Sequence, residues 1–497
     1  MSRFTTLTLD AVLLCYGRAT QGQGHASHWV FGNGFHLEFD ESGPTVLPRI
    51  ENYFGLEGVA SISDREGNLL YYSNVVRIWN SNFQPLFNSD TFPALDFPPS
   101  SSKANGSLLL PWPGDSADRY VAYLAMNDAD DKLYISKIDR DLDSGLGGIV
   151  DSFRYRELWD EPIAEHLNAV RHANGRDWWI VGKRGAVSYS SEFLLALLTP
   201  QGIDTTFIRD GSYSCNFQGM ISFSPDGDQF SLTHSNGNCG ASPPAIALFN
   251  FDRCEGHIEF IDTIPARSCF KSPYGVTFSD DGHRIYYSVS QPNKIYQVSQ
   301  LGDTLVDTLI FAMSSSASFG IAIGGIALGM DEKVYAIYAL QLPDAGLDTI
   351  TKYLSVINNP NVFGLACQAD TFGVYLGDIF NNGATLPNFP NYDLGPLVGS
   401  PCDTLSPQDT TQTGLYHLPL EYLSWSVYPS ISAGNYTVTG GPASWFIVHD
   451  LYGREVLRQW HEGATPFDLT AQPAGVYLVY LRAVDGTQTL PRKIIRQ

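Results

Sequence analysis

A short unit returns along this chain: SFSPDGDQF (222–230) and TFSDDGHRIYY (277–287), with looser echoes in SISDREGNLLYY (61–72) and ALGMDEKVYAIY (327–338). Each reads as an apolar strand, a tight turn built on Asp and Gly, and a second strand rich in β-branched and aromatic residues. The equivalent aspartates Asp226, Asp281 and Asp331 recur every ~50–55 residues, the length of one four-stranded propeller blade. At 497 residues the chain exceeds one ordinary core, whereas a repeat body grows by adding units. The 46 Gly and 29 Pro, with 28 Phe, 26 Tyr and 9 Trp, suit many short strands divided by turns. The expected fold class is therefore all-β: a β-propeller, seven blades by length, over residues 28–402, then a small C-terminal Ig-like β-sandwich.

Thirty Lys and Arg against 52 Asp and Glu give a formal charge of −22, which argues against nucleic-acid partners and against attraction to an anionic bilayer. No apolar run reaches membrane-spanning length; FGIAIGGIALGM (319–330) is short and glycine-rich and reads as an inner blade strand. Residues 1–27 read as an atypical secretory leader: Arg3, a short apolar core from Ala11 to Tyr16 interrupted upstream by Asp10, and a small-x-small site at Gly24-His25-Ala26. Residues 403–424, within a stretch rich in Pro, Asn, Thr and Ser, read as a linker, and 425–497 as a separate domain.

That tail carries, in order, Asp450-Leu451-Tyr452-Gly453, Asp468-Leu469, Pro473-Ala474-Gly475-Val476-Tyr477 and Lys493-Ile494-Ile495-Arg496-Gln497. In this it resembles the C-terminal sorting domain of the type IX secretion system, whose usual Y-P-N-P opening appears here as Tyr428-Pro429-Ser430. The body is similar to propeller-like proteins that carry such tails, through HANGRDWW (172–179), LFNFDRCEG (248–256), PYGVTFSDDG (273–282) and LPNFPNYDLGPLVGSPC (386–402). The resemblance implies a protein at the cell surface or outside the cell, exported via the periplasm, with the secretion machinery as partner of the tail; a monomer is expected. It implies no reaction.

Seven cysteines lie in the chain, and six remain beyond the leader: Cys215, Cys239, Cys254, Cys269, Cys367 and Cys402. None forms a C-x-x-C pair, and an even count suits an oxidising compartment. Fifteen connectivities are open to six cysteines. The resemblance and locality together favour neighbour pairing, 215–239, 254–269 and 367–402, each bridge contributing about 3–4 kcal/mol on a chain-entropy model.

Candidate chemistry is sparse. His172 and Asp177 could form a base and its orienter, but a His before a turn and an Asp after it more often bond the turn backbone. Asn127, Asp128, Asp130 and Asp131, and Asp139, Asp141 and Asp143, could offer oxygen to calcium; the turn glycine after Asp143 comes one place late, at Gly145, and Val150 stands where a helix-loop-helix site needs Glu. Gly320, Gly324, Gly325 and Gly329 lack the Lys-Ser/Thr of a phosphate loop and read as close strand packing. No G-x-S-x-G, no H-E-x-x-H and no Glu pair of telling spacing is present. No cofactor is expected. The leading functional expectation is a non-enzymatic module that recognises a glycan or protein through loops at one end of the ring. A propeller hydrolase or lyase with carboxylates converging on the axis, and a structural adhesion component, are the alternatives.

Overall fold

The structure is a computed structural model that describes residues 23–89, 101–185, 190–215, 219–233, 244–265, 273–290, 293–301, 304–312, 321–340, 349–403, 425–429, 431–440, 443–450, 454–482 and 492–497. It divides into two compact units, 1–413 and 414–497.

Among the described residues of unit 1, seven antiparallel sheets follow one another, over residues 28–46, 60–80, 107–157, 163–215, 221–265, 273–312 and 321–375, and are called blades 1 to 7. The first strands of blades 2 to 7 line the axis: Ala60–Ser63, Ser107–Pro111, Ile163–Arg171, Ile221–Phe223, Pro273–Phe278 and Ile321–Leu328. Each lies against the next, so most of their side chains are buried, which suits runs such as SLLLP and IAIGGIAL. The repeated turn closes the first hairpins of blades 5 and 6 with the same chemistry. In blades 5 and 6, Ser224 and Ser279 Oγ donate to Asp226 and Asp281 at 2.6 Å, while Gln229 N and Arg284 N donate back to the serine oxygens at 3.0 Å. Gly227 and Gly282 complete these turns at φ +74° and +71°, a left-handed conformation that other residues adopt at a cost.

Blade 1 differs. Its first strand, His28–Phe31, runs opposite to the inner strand of blade 2, as the antiparallel Gly32–Gly55 bridge and the Ser61 Oγ bond to His28 O require. It therefore occupies the second place in its blade, and the innermost place falls to a segment from the far end of the body. After blade 7 the chain crosses the ring, with Asn33 Nδ2 donating to Phe380 O at 2.7 Å across a separation of 347 residues. From Ala384 it descends the axis without forming a ladder. Ala384 N bonds Leu56 O (blade 2 side) and Gly325 N bonds Ala384 O (blade 7), while Asn388 N reaches Val59 O. Lower down, Asn388 Nδ2 donates to Ser107 O and Leu167 O, Tyr392 OH to Leu109 O, and Asn391 Nδ2 to Pro225 O. Gly324 and Gly325 are small because this segment lies on them: a Cβ at Gly324 would sit 2.0 Å from Ala384 O. Trp29 and Phe39 of blade 1 meet Tyr335 of blade 7, which closes the ring with an apolar seam.

Emerging at the turn end, the segment is tied down. Arg253 Nη2 donates to Gly395 O at 2.5 Å, Leu397 N to Ala173 O at 2.8 Å, and Cys402 is disulfide-bonded to Cys254. The expected bridges 254–269 and 367–402 are thus replaced by 254–402, because the descending segment delivers Cys402 to the outer turn of blade 5. Cys367 is a free thiol, fully buried in the core of blade 7. Cys239, Cys269 and the side chain of Cys215 lie outside the described residues, as does Gly320. The packed body begins upstream of His28: Gln23–Ala26 form a 3-10 turn in which Gly24 abuts the backbone of Asp64 and Arg65, and His25 Nε2 meets the buried Asp118 at 3.2 Å.

Unit 2 is a sandwich of a three-stranded and a five-stranded sheet around Trp425, Tyr436, Phe446, Val448, Phe467, Val479 and Leu481. The tail's motif residues map onto its construction. Asp450 receives Arg454 N at 3.0 Å, and Asp468 receives Thr470 N at 2.7 Å. Leu469 and Ile494 are core residues, and Tyr477 packs there while its hydroxyl bonds Pro473 O at 2.7 Å. Gly475 and Val476 open the strand Gly475–Arg482, and Lys493 is exposed on Arg492–Arg496. Gly453 lies outside the described residues.

Candidate functional site

The inner strands of blades 2 to 7 all begin at one end of the ring, and there the residues beside their starts converge. Glu57 precedes the inner strand of blade 2, Ser102 that of blade 3, Glu165 opens that of blade 4, Gly219 precedes that of blade 5 and Tyr274 opens that of blade 6. Tyr274 OH donates to Glu57 Oε1 at 2.6 Å and Ser102 Oγ to Glu57 Oε2 at 3.0 Å. Glu165 Oε2 accepts from Gly219 N at 3.4 Å. Asn105 N donates to the backbone oxygen of Glu165 at 3.2 Å, which holds the strand start in place.

The electrostatics divide the two carboxyls. Burial, followed by the charge of Glu57, pushes the Glu165 carboxyl up to about 8, against the weaker pull of Gly219 N–H, Lys103 and Ala104 N–H. Burial also raises Glu57, but the hydrogen bonds from Tyr274 and Ser102 act in the opposite direction. Burial and the adjoining Glu57 hold the Tyr274 phenol protonated far above neutral pH. The nearest cation, Lys103, spends its charge on Asp131 at 2.5 Å. The site thus holds a glutamic acid that keeps its proton up to about 8 beside a second carboxyl that accepts two hydroxyl hydrogen bonds, an arrangement suited to acid and base roles.

The residues singled out in the sequence lie elsewhere. His172 and Asp177 belong to the first turn of blade 4, at the opposite end. His172 Nε2 meets Cys254 O at 3.0 Å and its Nδ1 accepts from Asn174 N, while Asp177 holds Arg176 and Asn174. Trp178 and Trp179 point to neighbouring blades, donating to Pro111 O and Arg253 O. Both residues of the supposed dyad are engaged in turn architecture. Of the acids considered for calcium, Asp128 accepts from Ser101, Asp130 from Tyr134 and Asp131 from Lys103, while Asp139 and Asp141 share Arg119. These acids serve hairpin turns and surface ion pairs.

Glu57, Glu165 and Tyr274 escaped the sequence reading because more than a hundred residues separate each from the next. The available signal was register: each sits within three residues of the start of an inner strand, so aligning the blades would have stacked them.

No family model matches the chain, and no curated protein matches it in sequence. Solved structures match its shape. A protein from Lactobacillus plantarum is 14% identical over 73% of this chain and 98% of its own, with a TM-score of 0.42. Periplasmic gluconolactonase of Pseudomonas aeruginosa is 13% identical over 56% of this chain and 74% of its own, with a TM-score of 0.33. Kuenenia stuttgartiensis hydrazine synthase is 11% identical over 76% and 94%, with a TM-score of 0.38. These likenesses concern the fold and carry nothing about chemistry.

Proposed function

We propose that the propeller body is an acid–base enzyme, a hydrolase of C–O bonds, working at the end of the ring where the inner strands begin. The observation that supports this reading is the unequal carboxyl pair, with Glu165 held protonated up to about 8 beside Glu57. Glu165 protonates the leaving oxygen, Glu57 takes a proton from the attacking water, and Tyr274 steadies Glu57 through its 2.6 Å hydrogen bond. A recognition module, the leading expectation from sequence, would not need one carboxyl to keep its proton at neutral pH.

The test is turnover of a panel of chromogenic esters, lactones and glycosides. The expected result is activity that declines as pH rises through about 8 and falls at least ~100-fold in Glu165→Gln. Turnover untouched by that substitution, or glycan binding at this end without any turnover, rejects the enzyme reading.

The tail motifs support a second element, export through the type IX secretion system to the surface or medium. Removal of 425–497 is expected to hold the body in the periplasm, and normal secretion of the truncated protein refutes that role.

A further inference from the structure

Charge is divided unequally along the chain. Residues 414–497 carry as many acids as bases, so the −22 of the whole chain belongs to residues 1–413. The bases of the tail are Arg454, Arg458, Arg482, Arg492, Lys493 and Arg496, and all lie on strands of its five-stranded sheet or, for Arg454, immediately before one. Two are neutralised, Arg454 by Asp450 at 2.7 Å and Arg458 by Glu455 at 2.6 Å. Arg492 lies over the Trp425 ring, and Arg496 donates to Thr470 O. The side chains of Arg482 and Lys493 make neither an ion pair nor a hydrogen bond among the described residues.

Strand alternation places those two on the outer face of the sheet. Phe446, Val448, Val479, Leu481 and Ile494 fill the core, and their neighbours in sequence point the other way. Across three adjoining strands the register aligns Trp460, Trp445 and Arg482 in one row and Arg458, Ile447 and Tyr480 in the next. Ile447 and Tyr480 form a buried floor. Trp445 and Trp460 rise beside it, each 40% exposed, with ring centroids 5.4 Å apart and planes at 80°, so the two indoles form an open corner. Arg482 Nε is enclosed without an acceptor, which leaves the Nη groups of its guanidinium as free donors beside Trp445. Of the acids nearby, Glu455 is spent on Arg458 through bonds of 2.9 and 2.6 Å, and Glu462 stands in the bend beyond the strand that carries Trp460.

We propose that this face of the tail binds an acidic polysaccharide. The electron-rich face of an indole attracts the C–H groups that a sugar ring presents on its flat side, and two indoles near a right angle hold one ring from below and from beside. A uronate carboxylate accepts from the Arg482 Nη groups. Lys493, two rows further along the same face, meets a later charge on the same chain. A neutral glycan leaves the guanidinium unanswered, and an acidic peptide leaves the indole corner without a sugar ring. The proposal concerns a different unit from the carboxyl pair and rests neither on a reaction there nor on export by the tail.

Calorimetric titration of the full chain with tetramers of galacturonate and of mannuronate tests it, with cellotetraose as the neutral control and tetraglutamate as the peptide control. Salt at about 150 mM, with a Debye length of about 8 Å, confines the field of the acidic body. At least one uronate is expected to bind, and both controls at least ~10-fold more weakly. Arg482→Gln removes the unpaired charge and should weaken uronate binding at least ~10-fold without lowering the melting temperature. Trp460→Ala opens the corner and should weaken it as much; if that variant melts early, Arg482→Gln alone decides. Glu165→Gln, in the body, should leave binding unchanged. Absence of uronate binding at about 10 mM, either control binding as tightly as the uronates, affinity unaltered by the tail substitutions, or loss of binding in Glu165→Gln overturns the proposal.

Discussion

The two ends of the ring are built on opposite terms. At the end where the first hairpins turn, the Asp, Asn and Ser side chains described above are engaged: Asp226 and Asp281 by serines, Asp177 by Arg176 and Asn174, His172 by Cys254 O. At the other end Glu57 and Glu165 stand together in partial burial, and the nearest lysine is turned toward Asp131. Burial costs are met at both ends, with Asp228 and Asp393 raised to about 6 at the first and Glu165 to about 8 at the second; what distinguishes the second is that Glu57 takes its hydroxyl donors, Tyr274 and Ser102, from other parts of the ring and not from its own turn. Recurrence marks the scaffold. The site is assembled from residues that differ from blade to blade, a Glu here, a Tyr there, and so leaves no repeated word.

This contrast can be broken at several places, the most severe first. A chain ending at Gly383 loses the innermost element of blade 1 and every axial hydrogen bond, and is expected to show no cooperative melt, while one ending at Asp403 melts normally. If both melt alike, the descending segment is an ornament. Replacing Cys254 and Cys402 by Ser removes a crosslink between positions 148 apart and should cost about 4–5 kcal/mol on the chain-entropy model. Reductant should lower the melting temperature of the parent to match, with the pH dependence tied to Glu165 unaltered.

Glu165→Gln probes the opposite end. The folded carboxyl titrates at about 8, above the ~4.3 of an unfolded glutamate. The folded state keeps a proton that the unfolded chain releases, so this group's contribution is most favourable below about 4 and is lost as pH rises through about 8. The Gln variant should match the parent near pH 4 and exceed its stability by about 2–4 kcal/mol at pH 9, in denaturant titrations at both pH values. An identical pH dependence in the two proteins would remove the basis for treating this end as special. The smallest effect belongs to His172→Ala, expected to lose about 1 kcal/mol through the Cys254 O bond while leaving any turnover unchanged. A large loss of turnover would return His172 to the chemistry.

Much of the propeller was legible in the sequence because its turns obey local rules. Ser-Pro-Asp-Gly and Ser-Asp-Asp-Gly encode a φ > 0 glycine and an Asp–Ser hydrogen bond within nine residues, and the alternation around them sets the strands. The sandwich was legible for the same reason, its motif residues being turn acids, core positions and strand starts. The disulfide was not: locality favoured 254–269, and the actual partner of Cys254 is set by a path across the ring axis that no local pattern reports. The axial packing escaped for a related cause, since Trp29 and Phe389 meet through ring closure and are separated by almost the whole body.

The closure has a temporal consequence. Blades can form as soon as their own hairpins exist, yet the wheel stays an open arc, with the seam of Trp29 and Phe39 unmated, until a stretch near residue 390 is present to act as its axle pin. Whatever route carries this polypeptide to its destination, maturation waits on arrival of the body's last piece. A late-arriving pin gives the molecule one decisive moment at which it becomes whole.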